Sequence, residues 1–102
     1  IWIQREFQLE FNMLNTLESL ISTIRQKKTS PDEKSYTSKL LRDKNLSVEK
    51  VKEEIAELIE AVENISYTVH EAADVLYHLL VYLEGNGVRI EDIMLELDKR
   101  RK

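Results

Sequence analysis

The segment from Val69 to Glu84 constrains this chain more than any other. Read as a helix, it places Val69, Ala72, Ala73, Val75, Leu76, Leu79, Leu80, Val81, Tyr82 and Leu83 around nearly its whole circumference. A helix that is apolar on every side must sit among other helices. Gly85-Asn86-Gly87 follows, with the residue types that adopt positive φ and stop a helix. Two glycines and one proline in 102 residues leave few turns for a fold of short strands. The expected fold is therefore all-α, an antiparallel bundle of four to five helices around one core. So thin a bundle with 42% apolar residues leaves more apolar surface than one copy can cover, so a homo-oligomer with a shared core is expected.

The other helices follow from their caps and stripes. Asn15-Thr16-Leu17-Glu18 reads as a capping box, with Leu17, Leu20, Ile21 and Ile24 on one face of a helix running to about Lys28. Thr29 to Lys34 holds the proline and forms a loop. Ser35 then caps a short helix through Lys39, Leu40 and Leu41, which Asn45 ends. Ser47 caps a third helix from Val48 to about Glu63, a short polar turn leads to the fourth, and a last helix covers roughly Ile90 to Arg100. Residues 1–13 differ: Phe7, Leu9 and Phe11 alternate with Gln8 and Glu10 in a strand-like period. They are read as an extension, appended or non-native, and residues 14–102 as the domain.

Chemistry concentrates on the third and fourth helices. Successive helical residues turn by about 100°. On the third helix Val48, Val51, Ile55, Leu58, Ile59 and Val62 gather on one side, and Glu53 and Glu60 point most directly away. Glu54 and Glu57 flank the apolar face and are the acids expected to be partly buried. On the fourth helix Glu71 and Asp74 are neighbours on one face, with His78 a turn further on. Burying bare carboxylates costs several kcal/mol, on the order of what a cation must offset. Either a lysine or arginine pairs with them, or a divalent cation joins Glu71 and Asp74 to Glu54 and Glu57 across an antiparallel hairpin. All-oxygen donors select a hard ion such as Mg²⁺, with Mn²⁺ as a substitute. A di-iron bundle would want Glu-x-x-His, which these helices lack.

Composition removes other classes. Without cysteine there is no disulfide and no thiolate metal site. A net charge of −4 with no clustered basic face speaks against nucleic acid, and the closing Lys99-Arg100-Arg101-Lys102 run suits a helix C-terminus. No apolar run approaches the roughly 18 residues of a membrane span, and no basic-then-apolar leader opens the chain. A cytoplasmic protein without membrane or nucleic-acid partners is the expectation.

The pattern Glu53-Glu54-x-x-Glu57, thirteen residues, then Glu71-x-x-Asp74 resembles the signature of the all-α nucleoside triphosphate pyrophosphatase superfamily. Ser35-Tyr36-Thr37-Ser38-Lys39-Leu40, Lys50-Val51-Lys52-Glu53-Glu54 and Glu71-Ala72-Ala73-Asp74-Val75-Leu76-Tyr77-His78-Leu79-Leu80-Val81 resemble phosphoribosyl-ATP pyrophosphohydrolases in order and spacing, over about residues 14–101. Lys52 departs from the pattern, standing where many members carry glycine. The resemblance implies hydrolysis of the α–β phosphoanhydride of phosphoribosyl-ATP to phosphoribosyl-AMP and pyrophosphate, the second step of histidine biosynthesis. It implies a Mg²⁺-dependent enzyme with Glu54, Glu57, Glu71 and Asp74 as metal ligands, while the apolar coverage of the fourth helix points to a homodimer or higher assembly. Glu53 is a further catalytic candidate in an outer or general-base role. Lys39 and Lys50, with Ser35, Tyr36 and His78, are the substrate-binding candidates. Ser35 as a mere cap and His78 as a packed histidine are the competing readings of those two. A house-cleaning pyrophosphatase of the same superfamily and a non-catalytic helical dimerisation module are the alternatives for the whole chain.

Overall fold

The computed structural model describes residues 14–101; the reading of residues 1–13 as an extension lies outside them. Five helices follow one another: α1 Asn15–Thr29, α2 Tyr36–Arg42, α3 Lys44–Asn64, α4 Thr68–Gly85 and α5 Ile90–Arg100, with no strand among the described residues. α4 touches each of the other four, the central position its apolar circumference predicts. No helix of the described residues is long and apolar enough to cross a membrane.

Four local expectations are corrected. The capping box at Asn15 does not form: Leu14 stands at the N-cap without a side-chain hydrogen bond. Asn45 does not end α2 and Ser47 does not cap α3. Asp43 closes the one helix and opens the next, its Oδ1 accepting from Leu46 N–H at 3.0 Å. A carboxylate is a stronger acceptor than a hydroxyl at the positive end of a helix, and Ser47 is instead buried inside α3. At the end of α4, Gly85 remains helical, packed so that a Cβ there would stand 3.2 Å from Leu41 Cδ2, and Gly87 alone of the two takes positive φ, at 78°. The cap of α2 is as expected, with Ser35 Oγ accepting from Ser38 N–H at 3.2 Å.

The α3–α4 hairpin turns on three residues. Ile65 and Tyr67 lie in the left-handed region, φ 51° and 55°, which costs a non-glycine residue about 1 kcal/mol. The hydrogen bonds of Ser66 N–H to Ala61 O, Ile65 N–H to Val62 O and Thr68 Oγ1 to Ala61 O satisfy the end of α3 and offset that cost. So tight a turn holds the two helices antiparallel and in fixed register.

The core is small: Ile21 and Ile24 of α1, Leu40 of α2, and Leu80 and Val81 of α4, with Leu17, Leu20, Leu41, Leu46, Tyr77 and Ile90 against it. Buried Glu84 beside it is held by Arg25 Nε and Nη2 at 2.8 and 3.0 Å and by Ile90 N–H at 3.2 Å. Hydrogen bonding to Arg25 holds the Glu84 carboxyl below its ordinary value, and Arg25 drives Glu91 down to about 2. One guanidinium thus ties α1 to the end of α4 and the start of α5.

The principal apolar stripe of α3 does not face α4. Ile55, Ile59 and Val62 are exposed, as are Val69 and Leu76 of α4. The stripe that packs against α4 carries Ser47, Glu54, Leu58 and Ala61, of which Leu58 alone is half-buried and the others buried. Glu54 lines the inside of the hairpin where branched aliphatics were expected, whereas Glu57, also expected to be partly buried, is exposed.

Candidate metal and phosphate site

Glu54 sits half way along α3 and is only 7% exposed. Across the hairpin, Glu71 occupies the first turn of α4. One carboxylate oxygen of each, Glu54 Oε2 and Glu71 Oε2, is buried and lacks any hydrogen-bond partner. Glu57 joins them, so that one oxygen from each of Glu54, Glu57 and Glu71 lies within 4.8 Å of the others. Asp74, a turn beyond Glu71, extends the cluster; with Glu71 and His70 it forms a second group of donors within the same limit. Of the four acids expected to converge, Glu54, Glu57 and Glu71 come together across the two helices of the hairpin, while Asp74 shares a donor group with Glu71 but not with Glu54 or Glu57. His70 is a donor that the acid spacing does not include. Its position, directly before Glu71 and four residues before Asp74, is the signal that marks it.

The electrostatics are those of an anion cluster short of positive charge. Burial pushes the Glu54 carboxyl above its ordinary value, and the charges of Glu57 and Asp74 push it further. Glu71 is raised by burial and by the charge of the neighbouring Glu57. Among the described residues no lysine or arginine pairs with Glu54, Glu57 or Glu71; the nearby Lys50 Nζ goes to Glu53 at 3.1 Å. Orphaned, buried oxygens on acid-rich facing surfaces fit a hard divalent cation, and among the described residues the one ion pair within the cluster is that of His70 with Asp74, at 3.4 Å.

The remaining candidates divide. Glu53 is exposed and turned to Lys50, as its helical direction predicts. Lys50 lies close enough to Glu54 and Tyr36 for each to raise its pKa, although the hydrogen bond to Glu53 is the larger cause. Tyr36, in the first turn of α2, brings its hydroxyl to His78 Nε2 at 2.9 Å. His78 Nδ1 meets Asp74 O at 2.8 Å. A carbonyl only accepts, so Nδ1 carries the hydrogen, and in the neutral ring Nε2 accepts from Tyr36. His78 is buried beneath Asp74, packed edge-on against Tyr36 and Tyr77. Lys39 is exposed on α2, three residues from Tyr36, and no ion pair joins it to the acids among the described residues. A cleft of about 220 Å³ opens beside the cluster, lined in part by Glu57, Glu60, Tyr67 and Glu71. A larger groove of about 880 Å³ between α1 and α5 is mostly apolar and contains none of these acids.

Comparison with known proteins gives the family. The family model described as phosphoribosyl-ATP pyrophosphohydrolase matches residues 17–101. A phosphoribosyl-ATP pyrophosphatase of Methanoregula boonei is 42% identical over 94 residues, covering 87% of this chain and 90% of the relative. That of Halobacterium salinarum is 38% identical over 95 residues, covering 87% of this chain and 100% of the relative. A chloroplastic histidine biosynthesis bifunctional protein of Arabidopsis thaliana is 42% identical over 98 residues; 91% of this chain is covered but only 35% of that longer protein. With the acids of both segments facing one another across a single hairpin, and a match running through all five helices, the chain belongs to the phosphoribosyl-ATP pyrophosphohydrolase family.

Proposed function

We propose that this chain hydrolyses the α–β phosphoanhydride of phosphoribosyl-ATP, releasing phosphoribosyl-AMP and pyrophosphate in histidine biosynthesis. Glu54, Glu57, Glu71 and Asp74 would hold Mg²⁺, with Mn²⁺ as a substitute. The observation that carries the reading is the pair of buried, partnerless oxygens on Glu54 and Glu71. A triphosphate cannot approach four carboxylates unaided; a bound divalent cation supplies the intervening positive charge and polarises the phosphoryl oxygens. The chain's own groups do the rest. Glu53, exposed and paired with Lys50, would accept a proton from the attacking water once a phosphate draws Lys50 away. Lys50 and Lys39 meet phosphate oxygens as cations, and Ser35 and Tyr36 offer hydrogen-bonding groups at the start of α2. His78 acts from below, holding the Tyr36 hydroxyl in place.

The test is pyrophosphate release from phosphoribosyl-ATP and, separately, from a panel of ordinary nucleoside triphosphates with Mg²⁺. Release from phosphoribosyl-ATP alone is expected. Turnover of the panel and not of phosphoribosyl-ATP would mark a house-cleaning pyrophosphatase, and no release from any would leave a non-catalytic module.

The assembly belongs to the same proposal. Ile55, Ile59 and Val62 of α3, with Val69 and Leu76 of α4, are exposed on the outside of the hairpin, and burying each such side chain contributes roughly 1.5–3 kcal/mol. A second copy of the chain covers them, giving a homodimer that shares a core. Because symmetry repeats every change, Ile59→Glu is expected to weaken dimerisation by about a hundredfold or more, read by light scattering at several concentrations. A fully active wild-type monomer at micromolar concentration would refute the shared core.

A further inference from the structure

The acids on the hairpin form two donor groups rather than one. Glu54, Glu57 and Glu71 offer only oxygens, whereas His70, Glu71 and Asp74 offer an imidazole nitrogen with two carboxylates. His70 Nε2 stands 3.4 Å from Asp74 Oδ2, a spacing at which a cation ligated by both would fit within ordinary bond lengths of roughly 2.0–2.2 Å. Glu71 belongs to both groups, and its partnerless buried Oε2 leaves it free to serve either. The 7% exposed Glu54 carries an orphaned Oε2 of its own, and among the described residues no lysine or arginine pairs with Glu54, Glu57, Glu71 or Asp74.

We infer that His70 is a metal ligand, and that the position it shares with Glu71 and Asp74 prefers Mn²⁺- or Co²⁺-class ions over Mg²⁺. The inference rests on the reading of these acids as a cation site and adds to it a nitrogen donor and a second, differently selective position. Mg²⁺ takes oxygen ligands almost exclusively and keeps its waters, while imidazole suits the later first-row ions. A site of three oxygens and a site with one nitrogen therefore part company in ion preference even a few ångströms apart. His70 is mostly exposed, its side chain 70% accessible, so it enters the ligand set without a packing role of its own, and its removal leaves the fold intact.

The test uses the whole chain and needs no substrate. Mn²⁺ binding is followed by the loss of the free-ion paramagnetic resonance signal, Mg²⁺ by competition, and nitrogen ligation by the ¹⁴N modulation of the bound Mn²⁺ electron-spin echo. Wild type is expected to show the modulation. In His70→Ala it disappears, Mn²⁺ affinity at that position falls about tenfold, and Mg²⁺ affinity moves less than about twofold. Modulation that persists in His70→Ala, equal weakening of both ions, or no change in either overturns the assignment while leaving the acidic site standing. If wild type binds neither ion, the acidic site itself fails, and the role of His70 falls with it.

Discussion

Glu54→Gln is expected to lower kcat/KM for pyrophosphate release by about a thousandfold, since a charge-stabilising contact worth several kcal/mol is lost and about 1.4 kcal/mol corresponds to tenfold in rate. The substitution keeps the volume of a side chain that is 93% covered and packed inside the α3–α4 hairpin. It removes the charge that burial and the neighbouring Glu57 and Asp74 oppose. Unfolding therefore cannot explain the loss, and far-UV circular dichroism should be unchanged. Asp74→Asn should fall comparably, with its backbone carbonyl still accepting from His78. Substrate-independent loss of kcat with little change in KM would mark an interaction made chiefly in the transition state. Activity within tenfold of wild type in Glu54→Gln would remove the buried acid from the site, whatever the fate of the other three.

The fold was legible where one helix carried enough information by itself. The apolar circumference of α4 foretold its contact with every other helix, and the Glu71–Asp74 and Glu54–Glu57 spacings foretold which acids share a face. Periodicity names the residues on a face but not what covers it. Ile55, Ile59 and Val62 form the strongest stripe of α3 and yet point away from α4 within one copy, because the acid-bearing stripe with Ser47 and Ala61 takes the inner position. Competition between neighbours misled the helix starts: Asp43 outbids Ser47 as a cap, and only three-dimensional placement shows it. Long-range pairs were out of reach altogether. Nothing near Glu84 announces that Arg25, 59 residues earlier, will hold it buried. His70 is illegible for a different reason: the carboxylates alone satisfy the spacing, and only the folded hairpin shows the imidazole within reach of Glu71 and Asp74.

Mg²⁺ should raise the melting temperature of the wild-type chain by on the order of 10 °C when present at about a hundred times its dissociation constant. Such an excess stabilises the folded state by about 2.7 kcal/mol, and about 1 kcal/mol moves a domain of this size by roughly 4–8 °C. The sign without metal follows from the carboxyls themselves. Glu54 and Glu71 have folded-state pKa values raised above the ordinary 4.5, so the folded chain binds more protons than the unfolded one in that range. Metal-free stability is therefore highest at low carboxylate occupancy and is lost as the pH rises through 4.5 and the raised folded values. Glu57 is the foremost charge acting on both groups, after burial. Glu57→Gln removes that repulsion along with one ligand. In chelator at neutral pH the variant should melt above wild type, and on adding Mg²⁺ it should gain less. Both signs are needed, measured at one protein concentration, because the proposed dimerisation would also shift the midpoint, and at one ionic strength, because general screening would mimic part of the effect. Equal Mg²⁺ shifts in the two proteins, or a variant that melts below wild type in chelator, would mean that the carboxylates of α3 and α4 neither repel one another nor meet at a common cation.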